Sequence, residues 1–193
     1  MTEKEKLQTE IENAAKVIKK GGVILYPTDT IWGLGCDATN AKAVKKIFLI
    51  KRRAVSKSLI ILAESVERIY KHVDTDKEYI SDLVNGFDRP TTIIYPGAKK
   101  LAKNVIADDG TVAVRLARHD FCAGLIAKVD RPVISTSANI SGEPAPSLYA
   151  HTSKEIRENV DYIVDWERYA MKDIKPSTVI KLRSDGLYDV LRP

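Results

Sequence analysis

The sequence predicts an α/β fold in which one twisted, mixed β-sheet carries helices on its faces. Short apolar runs typical of strands alternate along the chain with segments of helical periodicity, an order that builds layered α/β domains. The last two predicted strands are joined by Arg183-Ser184-Asp185-Gly186. The Asp-Gly pair favours a hairpin, so the sheet is expected to be mixed and not purely parallel. With 193 residues and no internal repeat, residues 1–193 are expected to form a single domain without a further C-terminal one.

The first half of the chain begins with an amphipathic helix. Its apolar residues recur every three to four positions, and the glycine pair at 21–22 is expected to end it. A short buried strand follows at 23–26. Asn40 has the side chain of a helix N-cap and predicts a second helix. The remaining elements predicted in this half are strands at 59–63 and 91–95 and helices at 65–73 and 76–84.

The second half continues the alternation and closes with strands. A helix at 121–128 is predicted between strands at 111–116 and 133–136. A short helix at 155–159 then precedes the last three predicted strands, which lie at 162–164, 177–182 and 187–191.

Composition and charge narrow the classes of function. Apolar residues make up 44% of the chain and charged residues 30%, which is typical of a globular protein. The formal net charge of +5 favours acidic partners such as nucleotides or RNA, but a lysine-rich surface explains it equally well. No apolar run approaches the roughly 18 residues of a membrane span. The charged N-terminus does not resemble a secretory signal, so a cytoplasmic location is expected.

Several kinds of site find no support in the sequence. Cys36 and Cys122 form no metal-binding pair, and they are expected to be reduced, partly buried thiols, with a disulfide left open. No Walker A loop or zinc motif occurs, and no metal site is predicted. His72, His119 and His151 have no nucleophile nearby in sequence, and each is expected at the surface.

Two polar clusters together indicate a pocket for an anionic, nucleotide-like ligand. Residues 134–142 lead from a strand into a run of hydroxyls, an amide and a glycine, which offers a ligand many short hydrogen-bonding arms. Lys51, Arg52, Arg53 and Lys57 supply the opposite charge, because guanidinium and ammonium groups both suit phosphate. Each cluster also has a simpler interpretation. The hydroxyls fit a capped turn, and the cations fit a solvated helix C-terminus.

Two further segments end predicted strands, where ligands of α/β proteins often bind. Residues 26–35 combine a proline, two threonines and two glycines after the first strand, although an ordinary turn explains them too. Arg115 closes the apolar run 111–115, and Thr111 lies on the same face because the spacing is even. An arginine at the end of a strand is more often functional than an arginine elsewhere on a surface, although a structural role is an equal alternative.

These segments, in this order, resemble the YrdC family, the L-threonylcarbamoyladenylate synthases. The matching pieces are YPTDTIWGLGCDA, KRR with Lys57, TVAVR, STSANISG and PSTVI with the terminal LRP. They extend over about residues 20–193 and are specific as a combination. The resemblance implies a twisted mixed sheet around a positively charged concave cavity.

The implied reaction converts L-threonine, bicarbonate and ATP into threonylcarbamoyl-AMP and pyrophosphate. It is the first step of the tRNA threonylcarbamoyladenosine (t6A) modification, and Mg²⁺ is expected to accompany ATP. Downstream proteins that transfer the threonylcarbamoyl group to tRNA are the expected partners, whereas a direct contact with tRNA stays open. No membrane partner is expected.

The resemblance also implies roles for individual residues. Members of the KxR and SxN motifs are the expected catalytic residues, and these are Lys51, Arg53, Ser137 and Asn139. The expected ATP contacts are Arg53, Lys57, Thr111, Ser137 and Arg192. The expected threonine contacts are Thr30, Arg115, Ser135 and Ser177.

The sequence leaves two rival interpretations open. A paralogous enzyme with another carbamoyl donor or acceptor is one, since Ala54 stands where the family commonly has proline and Asp88-Arg89 alters a central loop. A non-enzymatic RNA-binding module is the other, because the chain is basic. Its aromatic content of only 7% and the lack of an RNA-binding signature speak against the second.

Overall fold

The structure, a computed structural model, describes residues 2–54, 59–168 and 176–193. Its helices are α1 (Glu3–Lys19), α2 (Ala41–Ile50), α3 (Val66–Tyr70), α4 (Lys77–Asn85), α5 (Asp120–Val129) and α6 (Lys154–Asn159). Its strands are β1 (Ile24–Tyr26), β2 (Gly33–Gly35), β3 (Ile60–Ala63), β4 (Thr91–Tyr95), β5 (Val112–Leu116), β6 (Val133–Ser137), β7 (Tyr162–Ile163), β8 (Thr178–Leu182) and β9 (Tyr188–Arg192). None of the helices in these ranges has the length and apolar character needed to cross a membrane.

The nine strands form one mixed sheet in the order β7-β1-β2-β6-β3-β5-β4-β8-β9. Parallel pairs join β1 to β7, β3 to β5 and β4 to β8. The other neighbours, including the predicted β8–β9 hairpin, are antiparallel. The predicted α/β class and mixed sheet are therefore confirmed.

One strand was not predicted. Gly33–Gly35 forms β2, which pairs with β1 on one side and with β6 on the other. Glycine normally weakens a strand, but here it permits a close approach. A Cβ on Gly35 would lie 2.6 Å from the ring of Tyr26 and 2.9 Å from the main-chain oxygen of Ile134. The pattern Gly-Leu-Gly is more typical of a turn than of a strand. In this protein the small residues allow the strand to lie close to larger neighbours.

The two faces of the sheet are covered differently. On one face, apolar residues of β3, β5 and β6 pack in a single core with α2, α3 and α4, as Ile61, Val114 and Ile134 illustrate. On the other face, α1 and α5 cover only part of the sheet, where they enclose Tyr26, Leu62 and Val133. The remainder of this second face carries polar residues, and the site described below lies there.

Local sequence signals explain the helix ends. Thr2 caps α1 in a capping box with Glu5, because each side chain accepts a hydrogen bond from the other's main-chain N–H. Asn40 caps α2 as predicted, accepting from the N–H groups of Lys42 and Ala43. Asp130 ends α5 in the left-handed conformation with φ of 60°.

Candidate active site

A cavity of about 200 Å³ opens on the partly covered face of the sheet. Seven residues predicted for the site contribute to its wall, and they are Thr30, Arg53, Arg115, Ser135, Ser137, Ser177 and Arg192. Of the other six lining residues, Ile31, Gly33 and Thr136 lie within the two segments predicted to bind a ligand, whereas Ile60, Ala145 and Pro176 were not predicted. The structure therefore brings together side chains from the two halves of the chain.

Strand register explains how these residues meet. Residues directly opposite one another in neighbouring strands share a face, and the face repeats every second residue. Gly33 pairs with Ser137, and Ser135 pairs with Ile60. Arg115 is opposite Thr92, and Thr92 is in turn opposite Val179. With Leu62 opposite Arg115 and Val179 opposite Arg192, even spacing places one set of lining residues on the same side of the sheet, namely Gly33, Ile60, Arg115, Ser135, Ser137 and Arg192.

The basic cluster after α2 does not act as one patch. Arg52 adopts a positive φ of 48°, and the N–H groups of Arg52 and Arg53 donate to the carbonyls of Leu49 and Phe48. This is a Schellman ending in which arginine occupies the position that glycine usually takes. The three side chains consequently separate. Arg53 lines the cavity, whereas Arg52 is exposed and pairs with Glu155 at 2.8 Å.

Lys51 is buried behind the cavity wall, with only 1% of its surface exposed. Its ammonium group donates to the main-chain oxygens of Ser137 and Asn139, the latter at 2.8 Å, and to the side-chain oxygen of Asn139 at 3.3 Å. Burial, aided by the charge of Arg53, lowers the pKa of Lys51 to about 7. In this structure Lys51 holds the hydroxyl-rich loop, and it is not among the lining residues.

Asn139 also serves the loop itself. Its side-chain N–H groups donate to the carbonyls of Ile140 at 3.1 Å and Glu143 at 2.6 Å. Ser141 returns to the end of α2, since its N–H donates to the carbonyl of Lys51 at 2.8 Å. With its amide used in this way, Asn139 fixes the loop that carries Ser135 and Ser137 to the cavity.

Arg115 lies at the floor of the cavity and is 4% exposed. One of its terminal nitrogens is 3.0 Å from a carboxylate oxygen of Asp29, which lies between Thr28 and Thr30 in the turn after β1. The hydroxyls of these two threonines are 3.0 Å apart, and both side chains are buried. The turn thus delivers a hydroxyl to the cavity and a carboxylate to the arginine.

Arg192 reaches the cavity from β9, the last strand of the sheet. Its guanidinium donates twice to the carbonyl of Ser177, at 3.0 and 2.7 Å. The Ser177 hydroxyl is 2.8 Å from that of the fully buried Thr92. These contacts connect three neighbouring strands and orient both predicted side chains.

The lining residues carry three guanidinium groups and no carboxylate. Burial lowers the pKa of Arg53, and burial together with the charge of Arg115 lowers that of Arg192. Burial is the main cause of both shifts, because it disfavours the charged form of a guanidinium. Such an arrangement suits an anionic ligand, which would restore charge balance, and the hydroxyls of the wall would accept and donate hydrogen bonds around it.

One predicted ATP contact, Thr111, lies away from this wall. Thr111 lies four residues from Arg115, roughly 13 Å along the strand, and its hydroxyl donates to Asp109 at 2.6 Å. It is not among the residues that line the cavity. Lys57 lies outside the described residues, so the structure does not test its position.

The histidine prediction was wrong for His72, which is 7% exposed. Its ring nitrogen is 3.2 Å from the carbonyl of Lys99, and burial lowers its pKa. The surface prediction was also wrong for the side chain of His119, which is only 9% exposed and contacts Glu167 at 3.0 Å. His151 is exposed as expected. Both cysteines are free, and they are fully buried rather than partly so.

Aromatic packing supports the loop beyond the hydroxyl-rich segment. Tyr149 packs against Trp32 with ring centroids 5.2 Å apart, and the guanidinium groups of Arg157 and Arg168 lie over the same ring at 5.8 and 5.1 Å. This anchor holds the segment that contributes Ala145 to the cavity. Ile60 and Ala145 reach the cavity through strand register and long-range contacts, and no local sequence signal marks them.

Fold and cavity together define a class of protein: a mixed α/β domain whose arginine-lined pocket suits an anionic ligand with several hydrogen-bonding groups. Residues 16–193 match the Sua5/YciO/YrdC family, which carries the description "Telomere recombination". Because this match covers most of the sequence, the chain belongs to that family.

Relatives and solved structures agree with this assignment. The threonylcarbamoyl-AMP synthase of Pseudoalteromonas translucida is 34% identical over 82% of this chain and 86% of its own. That of Xanthomonas euvesicatoria is 34% identical over 91% and 94%. P. abyssi Sua5 complexed with L-threonine superposes with a TM-score of 0.86 at 32% identity, covering 96% of this chain. This chain spans only 54% of that Sua5. E. coli YciO supports the fold alone, with a TM-score of 0.82 at 24% identity over 96% of this chain and 89% of its own.

Proposed function

We propose that this protein is a threonylcarbamoyl-AMP synthase, which joins L-threonine, bicarbonate and ATP and releases pyrophosphate. The observation that carries the proposal is the convergence of Arg53, Arg115 and Arg192 with serine and threonine hydroxyls in one cavity. ATP and threonine bring phosphates and a carboxylate, and these are the groups that guanidinium binds well. The relatives named threonylcarbamoyl-AMP synthase at 34–36% identity support the same activity.

The reaction would proceed in two steps. The threonine amine first attacks the carbon of bicarbonate, and loss of water leaves a carbamate. A carbamate oxygen then attacks the α-phosphorus of ATP, the bond to the bridging oxygen breaks, and pyrophosphate departs with the electron pair. Among the described residues no side chain is placed as an evident general base. Catalysis would therefore depend on positioning and on charge stabilisation, as in other phosphoryl transfers.

The residues divide between the two substrates. Arg115, with Thr30, Ser135 and Ser177 around it, would bind the threonine. Arg53, Arg192 and Ser137 would bind ATP, with Arg53 balancing charge on the departing pyrophosphate. Lys57 and Thr111 stay as further candidates for ATP contact. Lys51 and Asn139 would contribute by holding Ser137 in place, because their own polar groups are engaged within the loop.

Magnesium would arrive as part of the substrate MgATP. The described residues contain no group of three or more His, Cys, Asp or Glu side chains placed to hold a metal ion, and the cavity wall offers hydroxyls without carboxylates. This donor set fits an ion held mainly by phosphate oxygens and water. The ion would offset phosphate charge while the arginines orient the nucleotide.

The product would enter the t6A modification of tRNA through proteins that transfer the threonylcarbamoyl group. Such a role places the protein in the cytoplasm, where ATP and tRNA are available and buried thiols like Cys36 stay reduced. The basic surface is compatible with a weak contact to tRNA.

The decisive experiment measures pyrophosphate release from MgATP by the purified protein, with and without L-threonine and bicarbonate. Mass spectrometry of the same samples identifies the adenylate. We expect release that requires both cosubstrates and yields threonylcarbamoyl-AMP. Threonine-independent cleavage would support the paralogous enzyme instead, and salt-sensitive RNA binding without turnover would support an RNA-binding module.

A further inference from the structure

Asp29 occupies a position that is set by the turn around it. The hydroxyl of Thr28 accepts from the N–H of Thr30 at 3.1 Å and lies 2.8 Å from the carbonyl of Ile31, to which it donates. On the strand side, the hydroxyl of the fully buried Tyr26 donates to the carbonyl of Ile134 at 3.0 Å. The backbone that carries Asp29 is thus fixed on both sides.

The carboxylate of Asp29 meets the guanidinium of Arg115 at 3.0 Å, and the two side chains are 12% and 4% exposed. Neither Asp29 oxygen makes a hydrogen bond to a described residue, and the same holds for Nε and Nη2 of Arg115. Charge attraction, rather than hydrogen-bond geometry, therefore joins the pair. Asp29 is not among the residues lining the cavity, whereas Arg115 is.

Arg115 needs a compensating charge in this position. Burial lowers the pKa of Arg192, and the positive charge of Arg115 adds to that shift, so the two cations lie near enough to act on each other. A buried guanidinium without a counterion is strongly unfavourable. Within the described part of the chain, Asp29 is the acidic group with which Arg115 forms an ion pair.

We infer that Asp29 is a positioning residue for Arg115, holding the guanidinium at the cavity wall so that it can receive the carboxylate of the amino-acid substrate. The inference rests on the proposed function and adds a residue to its threonine subsite. Asp29 acts from behind the wall, through Arg115, and does not itself touch the substrate.

The test compares steady-state kinetics of wild type, Asp29→Asn, Asp29→Glu, Arg115→Gln and the double variant Asp29→Asn/Arg115→Gln. Asp29→Asn should raise the threonine KM by at least about tenfold, because truncating a buried charge pair is costly. The ATP KM and kcat should stay within about twofold, since Asp29 lies behind one subsite only. Asp29→Glu should recover much of the threonine affinity.

The double variant separates an action through Arg115 from a direct one. If Asp29 acts through Arg115, the double variant should have the threonine KM of Arg115→Gln alone. Independent, multiplying effects would overturn the inference, as would an unchanged or lower threonine KM in Asp29→Asn. Should Asp29→Asn fail to fold, a threonine KM that is higher in the double variant than in Arg115→Gln would still overturn the inference.

Turnover by the wild-type protein separates a failure of the Asp29 inference from a failure of the proposed function. If wild type shows threonine-dependent turnover and Asp29→Asn has the same threonine KM, only the inference about Asp29 is overturned. Absence of threonine-dependent turnover in folded wild type would overturn the proposed function and the inference with it.

Discussion

The ammonium nitrogen of Lys51 lies 2.8 Å from the main-chain oxygen of Asn139, and the N–H of Ser141 returns a hydrogen bond to the carbonyl of Lys51 at 2.8 Å. The end of α2 and the loop after β6 are thereby tied together across 88 residues of sequence. Two motifs that the sequence presents separately form one structural unit. The loop can present Ser137 to the cavity because Lys51 satisfies its inward-facing carbonyls.

This buried lysine predicts a pH dependence of stability. The folded protein lowers the pKa of Lys51 to about 7, whereas an unfolded lysine titrates near 10.4. Between these values the unfolded chain binds a proton that the folded protein has released, so Lys51 makes stability rise with pH. The contribution is at most about 1.4 kcal/mol per pH unit.

Urea unfolding of wild type and Lys51→Met at pH 7, 8 and 9 measures this contribution. We expect the free energy of unfolding to rise more steeply with pH in wild type than in the variant. The raised pKa values of the buried Cys36 and Tyr26 act oppositely at high pH, but they cancel in the comparison. Equal slopes in the two proteins would contradict the assignment to Lys51.

Arg53→Ala should lower turnover at least tenfold while the fold survives. Losing one charge contact to a transition state typically costs roughly 2 to 4 kcal/mol. Arg52→Ala is the matched control, because Arg52 is the neighbouring arginine and pairs with Glu155 away from the cavity. Pyrophosphate release and thermal unfolding check both variants, and normal turnover in Arg53→Ala would exclude its proposed role.

Arg115→Ala should mainly raise the threonine KM, by about tenfold or more, because a charge-assisted bidentate contact to the substrate carboxylate is lost. Arg89→Ala removes an exposed arginine that does not line the cavity and serves as the control. Initial rates at varied threonine and saturating MgATP measure the effect. An unchanged threonine KM would place the amino acid elsewhere.

Arg192→Ala should raise the ATP KM by about tenfold or more, since a cation of the phosphate site is removed. Arg183→Ala offers a control in the same hairpin, because Arg183 pairs with Asp185 and Asp189 at the surface. Nucleotide titration calorimetry gives the affinity directly. Equal ATP affinity in wild type and Arg192→Ala would argue against a phosphate contact by this strand.

Gly35→Ala should destabilise the protein by about 1 to 3 kcal/mol through overpacking. The added Cβ would lie 2.6 Å from the ring of Tyr26 and 2.9 Å from the carbonyl oxygen of Ile134, and neither neighbour has room to move. Gly86→Ala, at an exposed helix end with φ of −75°, should have a smaller effect. Chemical denaturation gives the free energy of unfolding of each variant. A Gly35→Ala protein as stable as Gly86→Ala would contradict the close approach at Gly35.

Periodicity predicted most elements because each depends on local patterns of apolar residues, caps and turns. The helices and the closing hairpin are examples, since Asn40 and the Asp-Gly turn signal them within a few residues. β2 was not predicted because Gly33 and Gly35 are typical of a turn. The reason for glycine in this strand lies in its neighbours Tyr26 and Ile134, which are distant in sequence or visible only in the fold. The left-handed residue that ends α2 was not predicted either, because arginine rarely adopts the positive φ that Arg52 has.

The sequence by itself determined the α/β class, the mixed sheet and the types of side chain that an anionic ligand requires. The tertiary structure alone decided which of them meet. Strand register placed Arg115, Ser135 and Ser177 on one face, the end of α2 directed Lys51 inward and Arg52 outward, and Thr111 was left at the far end of its strand. The physical reason is that element type follows from local periodicity, whereas the meeting of side chains depends on pairings between residues far apart in sequence.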